Sequence, residues 1–106
     1  MPALLVLSTA PDAKTASRIA RKLVEARAAA CVTALKGASS IYRWKGRVEK
    51  ASEHLLLIKT SGASYKKVER LLLEAHPYET PEILALPVKR GSSKYLQWIE
   101  SSVSGL

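Results

Sequence analysis

Hydrophobic and polar residues switch between two spacings along this chain of 106 residues. Residues 3–9 (ALLVLST) form a short apolar run, which is typical of a buried strand. From Pro11 to about Arg27 the apolar residues recur at helical spacing, and Pro11-Asp12 is a typical start signal. The chain is therefore predicted to open with a strand followed by a helix.

A long hairpin is predicted next. Residues 30–35 return to a strand pattern, residues 36–40 (KGASS) interrupt it as a β-bulge or bend would, and residues 41–44 resume it. Lys45-Gly46 is typical of a tight turn, and residues 47–60 form the return strand. The pattern thus indicates two long paired strands with an irregularity near their middle.

The second half repeats the order of helix and strand. Ser61-Gly62 opens a second helix, residues 83–88 form an apolar strand, and Ser92 or Ser93 can cap a final helix. The order is β-α-β-β-α-β with a C-terminal helix appended. This is the ferredoxin-like split βαβ arrangement of the α+β class, an antiparallel sheet with two helices on one face. Residues 1–106 are interpreted as a single domain.

The central strands raise a packing problem that one copy of the chain does not solve. Their apolar residues are consecutive rather than alternating, in residues 4–7, 55–58 and 83–86, which implies burial on both faces of the sheet. The two helices cover one face only, and the hairpin arms are longer than the other strands can flank. We therefore expect copies to associate sheet against sheet, with each ribbon paired onto a neighbour.

Composition fits an ordinary globular protein, with 47% hydrophobic and 25% charged residues. The net charge of +8 would suit an anionic partner, but the basic residues are spread over the polar faces of the predicted helices. We interpret them as a solvated exterior and expect neither a nucleic acid nor a membrane as partner.

The expected location is the cytoplasm. The sequence has no long apolar span and no signal-peptide pattern, and its single cysteine, Cys31, suits a reducing compartment. A plastid or mitochondrion is the alternative if a transit peptide has been removed.

Most of the candidate chemistry falls in residues 76–82 (HPYETPE), between the second helix and the last core strand. This segment holds an imidazole, a phenol and two carboxylates, and its two prolines should keep His76 and Thr80 extended. It is typical of a rigid connector that aims polar side chains in fixed directions. His76 is either a metal or small-ligand contact or a ring tied to the backbone at the helix end.

Other residues also have two interpretations. Glu79 could complete an oxygen-rich site with Glu82, or both could form ion pairs at a subunit contact. Tyr42 and Trp44, near the ribbon tip, would pack against a neighbouring copy or line a cleft there. Cys31 is most simply a small thiol beside the core.

Several ordered motifs resemble those of one known family. They are Ala30-Cys31-Val32, Ser40-Ile41-Tyr42-x-Trp44-x-Gly46, Lys59-Thr60, His76-Pro77-Tyr78-Glu79-x-Pro81-Glu82-Ile83 and Tyr95-Leu96-x-Trp98. Together they resemble the divalent-cation tolerance (CutA) family over nearly the whole chain. The resemblance implies a homotrimer related in architecture to the nitrogen-regulatory PII proteins, with ligand clefts between subunits. It carries no firm biochemical activity, and we expect a non-enzymatic metal-responsive or signalling protein.

The resemblance also implies a set of site residues drawn from adjoining subunits. The ligand cleft would combine Trp44, Glu53, Lys59, Tyr78 and Glu79, with His76 as the candidate ligand of copper or another divalent cation. Members proposed to bind copper look as if they use a Cys at the end of the first strand and two adjacent histidines. Here the matching positions are Ser8, Ala75 and His76. Imidazole and thiolate are the groups that favour copper, so a single His should bind it far more weakly.

Two other classes of function have less support. A nucleic-acid-binding domain of this topology would stack bases on aromatic residues of the central strands, but the chain has no Phe and one such strand reads LLLI at 55–58. A small acylphosphatase-like enzyme would need an anion-cradling Arg after the first strand and an Asn to place water. The loop here is Thr9-Ala10-Pro11-Asp12, and the sequence contains no Asn.

Overall fold

A computed structural model describes residues 2–103 of the chain. Its elements follow the predicted order: β1 Ala3–Ala10, α1 Ala13–Glu25, β2 Cys31–Trp44, β3 Arg47–Ser61, α2 Tyr65–Ala75, β4 Leu84–Pro87 and α3 Ser93–Val103. The four strands form one sheet in the order β2-β3-β1-β4, and every neighbouring pair is antiparallel. The predicted α+β class and antiparallel sheet are confirmed.

Helix α1 has a polar cap at its start and a left-handed residue after its end. The carboxylate of Asp12 accepts a 2.7 Å hydrogen bond from the backbone N–H of Thr15, which satisfies one of the donors that a helix start leaves open. The helix ends at Glu25 rather than near Arg27 as predicted, because Arg27 adopts φ +59°. The predicted start is confirmed and the predicted end is two residues too late.

The β2–β3 hairpin contains both predicted irregularities. Its register shifts between Leu35 and Ala38, which places the extra residue of a β-bulge beside Gly37 at φ +89°. Lys45 and Gly46 both have positive φ, 51° and 78°, as a type I′ hairpin turn requires. Since β1 pairs with β3 only as far as His54, the rest of the hairpin extends beyond the sheet as a two-stranded ribbon.

The hydrophobic core lies between the sheet and the helices α1 and α2. Alternate residues of β1 and β3 face the helices, and they pack against the apolar stripe of each helix. The largest fully buried members are Val6, Leu56, Ile58, Ile19, Leu23, Val68 and Leu72. This layer fixes the sheet on which the candidate site is built.

The opposite side of the sheet stays largely uncovered in a single chain. We call it the open face; its apolar residues are Leu5, Leu7, Leu35, Leu55, Leu57, Leu84 and Leu86. Leu35, Leu84 and Leu86 are 49%, 58% and 44% exposed. The predicted burial on both faces is therefore not achieved within one chain, although both faces are apolar as the sequence indicated.

Helix α3 covers one end of the open face. Ser92 caps it by accepting a hydrogen bond from the N–H of Tyr95, and its buried residues Ile99 and Val103 pack with Ala3 and Ala30. In the part of the chain described, none of the helices combines the length and apolar character needed to cross a bilayer.

Candidate ligand cleft

The connector 76–82 is held to the sheet through His76. This residue is extended, at φ −81° and ψ 135°, as the following proline predicts, and its ring is buried. Its Nδ1 accepts a 3.1 Å hydrogen bond from the backbone N–H of Tyr78, so its Nε2 carries the proton and donates to the carbonyl oxygen of Thr9 at 2.6 Å. Both ring nitrogens are therefore hydrogen-bonded to backbone groups. This agrees with the second interpretation of His76, a ring tied to the backbone at the helix end.

Glu53 and Tyr78 form the central polar contact of the site. The Tyr78 hydroxyl donates a 2.7 Å hydrogen bond to Oε2 of Glu53, whose side chain is buried on strand β3. Burial disfavours the ionised carboxylate, but hydrogen bonds from Ser40, Tyr78 and Thr9 outweigh it and hold the pKa of Glu53 below its usual range. The pKa of Tyr78 is raised by burial and by its bond to Glu53. The pair is thus an ionised carboxylate facing a neutral phenol.

A cleft of about 780 Å³ opens beside this pair, between the ribbon and the connector. It follows strand β2 from Ser40 to Trp44, so this strand supplies one wall and the connector the other. The lining residues are Thr9, Ser40, Ile41, Tyr42, Trp44, Glu53, Pro77, Tyr78, Glu79, Thr80, Pro81 and Glu82. This volume suits a small organic molecule.

Four of the predicted site residues line this cleft within one chain: Trp44, Glu53, Tyr78 and Glu79. His76 does not line the cleft but supports the connector from behind. Lys59 lies elsewhere, on the sheet face that also carries Leu57, where its Nζ donates to Thr33 at 2.5 Å and lies 3.7 Å from Sγ of Cys31. Lys59 lies six residue steps along β3 from Glu53, about 20 Å, so only another subunit could bring a Lys59 to this cleft.

Two residues that hold Glu53 were missed by the sequence reasoning. Ser40 on β2, just beyond the bulge, and Thr9 at the end of β1 both act on this carboxylate and lower its pKa. Ser40 belongs to one of the family-like motifs, and that membership could have identified it as a candidate site residue. Thr9 meets Glu53 only through the register of β1 on β3, which the sequence pattern does not give.

The residues present in one chain do not fit a copper site. In the part of the chain described, no group of three or more His, Cys, Asp or Glu side chains is placed to hold a metal ion. Of the three positions that the family resemblance implied as copper ligands, Ser8, Ala75 and His76, only His76 carries an imidazole, and its ring nitrogens are already hydrogen-bonded. Coordination by His76 stays a prediction, and it now requires the loss of one of these two hydrogen bonds.

Comparison with known proteins assigns the family. Residues 4–102 match the model of the CutA1 divalent ion tolerance protein family. A divalent-cation tolerance protein CutA from Pectobacterium atrosepticum is 46% identical over 101 residues, covering 95% of this chain and 92% of the relative. The structure of a divalent cation tolerance protein from Thermus thermophilus matches with a TM-score of 0.94 at 42% identity, covering 96% of this chain and 99% of that one.

A third similar protein bears on location. The structure of a CutA from Archaeoglobus fulgidus, described as periplasmic, matches with a TM-score of 0.93 at 34% identity and covers 96% of this chain and 99% of that one. A cytoplasmic location for the present chain therefore stays a prediction. The fold, the ordered motifs and these matches agree, and the chain belongs to the CutA1 divalent ion tolerance family.

Proposed function

We propose that this chain is a non-enzymatic protein of the divalent-cation tolerance type that acts as a homotrimer, with its ligand clefts at the subunit boundaries. The observation that carries the proposal is the open face. Leu35, Leu84 and Leu86 expose about half of their surface on a sheet whose other side is fully packed. Burial of such surface contributes roughly 25 cal/mol per Å², so association through this face is favourable.

A closed ring of copies also accounts for the strand edges. Strand β4 is a short edge strand of four residues, and the ribbon carries Val48, outside the cleft, at 67% exposure. Pairing each ribbon onto a neighbour covers these groups and leaves no edge available for open-ended growth. The number of copies, three, rests on the resemblance to PII-like trimers.

The proposal of a non-enzymatic role is supported by the polar groups of the cleft. Glu53 is ionised and accepts hydrogen bonds, among them one of 2.7 Å from the phenol of Tyr78. Burial and this bond raise the pKa of Tyr78, so the phenol is held neutral rather than activated as a nucleophile, which a hydrolytic site would require. The alternative of a base-stacking nucleic-acid domain lacks its platform, since strands β1 and β3 carry no Phe, Tyr or Trp.

A response to divalent cations is proposed from the family name. Copper is expected to bind weakly, because His76 is the one imidazole among the implied ligands. A copper site would need His76 together with ligands from another subunit. The test is calorimetric titration of Cu²⁺ and Zn²⁺ into the purified wild-type protein and into His76→Ala. Affinity in the wild type that falls at least about tenfold in the variant supports ligation by His76; equal affinity in both proteins removes His76 from the site.

The control separates ligation from folding. Because His76 also bonds to Thr9 and Tyr78, its removal is expected to loosen the connector. Circular dichroism and sedimentation of the variant are therefore recorded in the same buffer, and only a folded variant of wild-type mass is compared. The proposed compartment is the cytoplasm, which suits the single thiol of Cys31, and cell fractionation tests it.

A further inference from the structure

The charge of the cleft is opposite to that of the whole protein. The chain has a net charge of +8, yet the charged residues among the twelve that line the cleft are all acidic: Glu53, Glu79 and Glu82. Glu53 is buried and ionised, so its charge is only weakly screened by solvent. A cleft of one sign with low-dielectric walls concentrates ions of the other sign. Its lining therefore favours a cation.

The aromatic side chains of the cleft favour the same sign of charge. Tyr42 and Trp44 both line it and keep 44% and 38% of their surface exposed. An aromatic ring attracts a cation to its face, and Trp shows this most strongly. The Trp44 ring already has one such neighbour, since Nζ of Lys45 lies 5.7 Å from its centroid. A ligand ammonium group at this ring would take the place of the Lys45 ammonium.

A bare metal ion is a poor match for this lining. The volume of about 780 Å³ is far larger than an ion needs, and Ile41, Pro77 and Pro81 supply apolar wall. Divalent ions prefer several oxygen ligands within about 2–2.6 Å, and no group of three such side chains is gathered in the part of the chain described. Apolar wall, aromatic face and carboxylate together match a cation that carries its own hydrocarbon.

We propose that the cleft binds a small organic cation of the alkylammonium class, with its charged group between Trp44 and the carboxylates and its hydrocarbon against Ile41 and Pro77. This inference rests on the proposed function, in which the cleft is the ligand site. A Lys59 supplied by an adjoining subunit would not reverse the selectivity. The ammonium groups of that Lys59 and of Lys45, set against the three carboxylates, still leave one net negative charge.

The test compares two probes of the same shape. Choline carries a quaternary ammonium, and 3,3-dimethylbutan-1-ol is its neutral carbon isostere. Binding of each to the wild-type protein is measured by NMR titration in low-salt buffer at neutral pH. Choline is expected to bind at least about tenfold more tightly than the alcohol, with an affinity that falls as salt is added.

Variants then assign the site. Glu79→Gln and Trp44→Leu change exposed side chains of the cleft and are each expected to weaken choline binding by about three- to tenfold. Glu74→Gln removes an exposed carboxylate from helix α2, outside the cleft, and is the matched control. Its choline affinity is expected to equal that of the wild type.

The alkylammonium class is overturned if the two probes bind with equal affinity or if neither probe binds. It is also overturned if Glu74→Gln and Glu79→Gln lose equal choline affinity. Sedimentation of the same samples keeps this outcome separate from the proposed function. A trimer that shows no preference for choline refutes the ligand class alone, whereas a stable monomer refutes the proposed assembly itself.

Discussion

The hydroxyl of Tyr78 lies 2.7 Å from the buried carboxylate of Glu53, and this contact joins the 76–82 connector to strand β3. The two pKa shifts agree about its character, since that of Glu53 is lowered and that of Tyr78 is raised. Together with the two backbone bonds of His76, it gives the connector a fixed position over the end of the sheet. The shape of the cleft depends on this pair.

Removal of the Tyr78 hydroxyl tests the contact. Tyr78→Phe keeps the ring but leaves Glu53 short of one donor, and hydrogen bonds to buried charged groups contribute roughly 1.5–3 kcal/mol. The free energy of unfolding in urea, at a fixed protein concentration, is expected to fall by about that amount. Tyr95→Phe on helix α3, where the ring is 44% exposed, is the control and should change it by less than about 0.5 kcal/mol. Equal losses in the two variants would show that the contact has no special role.

The acid limb of the stability curve tests the state of Glu53. Its folded pKa lies below the usual 4.5, so the unfolded chain takes up the proton first as the pH falls. The stabilisation by Glu53 is therefore fully present above about pH 4.5 and is lost as the pH drops through the folded pKa. Urea unfolding from pH 7 to pH 3 should show a steeper acid loss in the wild type than in Glu53→Gln. Parallel curves for the two proteins would mean that Glu53 is not held ionised.

The start of helix α1 provides a third test. The carboxylate of Asp12 accepts a hydrogen bond from the N–H of Thr15, and replacement of such a cap by Ala typically costs about 1 kcal/mol. We expect Asp12→Ala to lower the free energy of unfolding by that amount and Asp12→Asn, which keeps an acceptor, to change it by a few tenths. If Asn and Ala are equally destabilising, charge rather than capping is responsible.

The local elements of the fold could be predicted because each has its own signal. Short apolar runs locate the strands and helical spacing of apolar residues locates the helices. Lys45-Gly46 predicts a turn that the positive φ of both residues confirms. The predicted end of α1 is too late, because the left-handed Arg27 is not a glycine and gives no stop signal in the sequence. The predicted start of α2 at Ser61-Gly62 is likewise too early, because a short 3-10 turn, Gly62–Ser64, precedes the helix.

The candidate site could be predicted only in part. Trp44, Tyr78 and Glu79 stand in family-like motifs, and the structure brings them to one cleft. Thr9 meets Glu53 through strand register, which is a non-local property that periodicity does not reveal. The resemblance adds Lys59 to this site as a residue of an adjoining subunit, and within one chain Lys59 lies on a different part of strand β3.

The central claim is that the open face drives self-association. It is tested most directly by sedimentation equilibrium of the wild type at micromolar concentration, beside Leu86→Lys and Leu73→Lys. Leu86 lies on the open face and Leu73, 56% exposed, lies on helix α2. The account predicts three times the chain mass of 11.5 kDa for the wild type and Leu73→Lys, and a shift toward monomer for Leu86→Lys. A folded wild-type monomer at that concentration would contradict it.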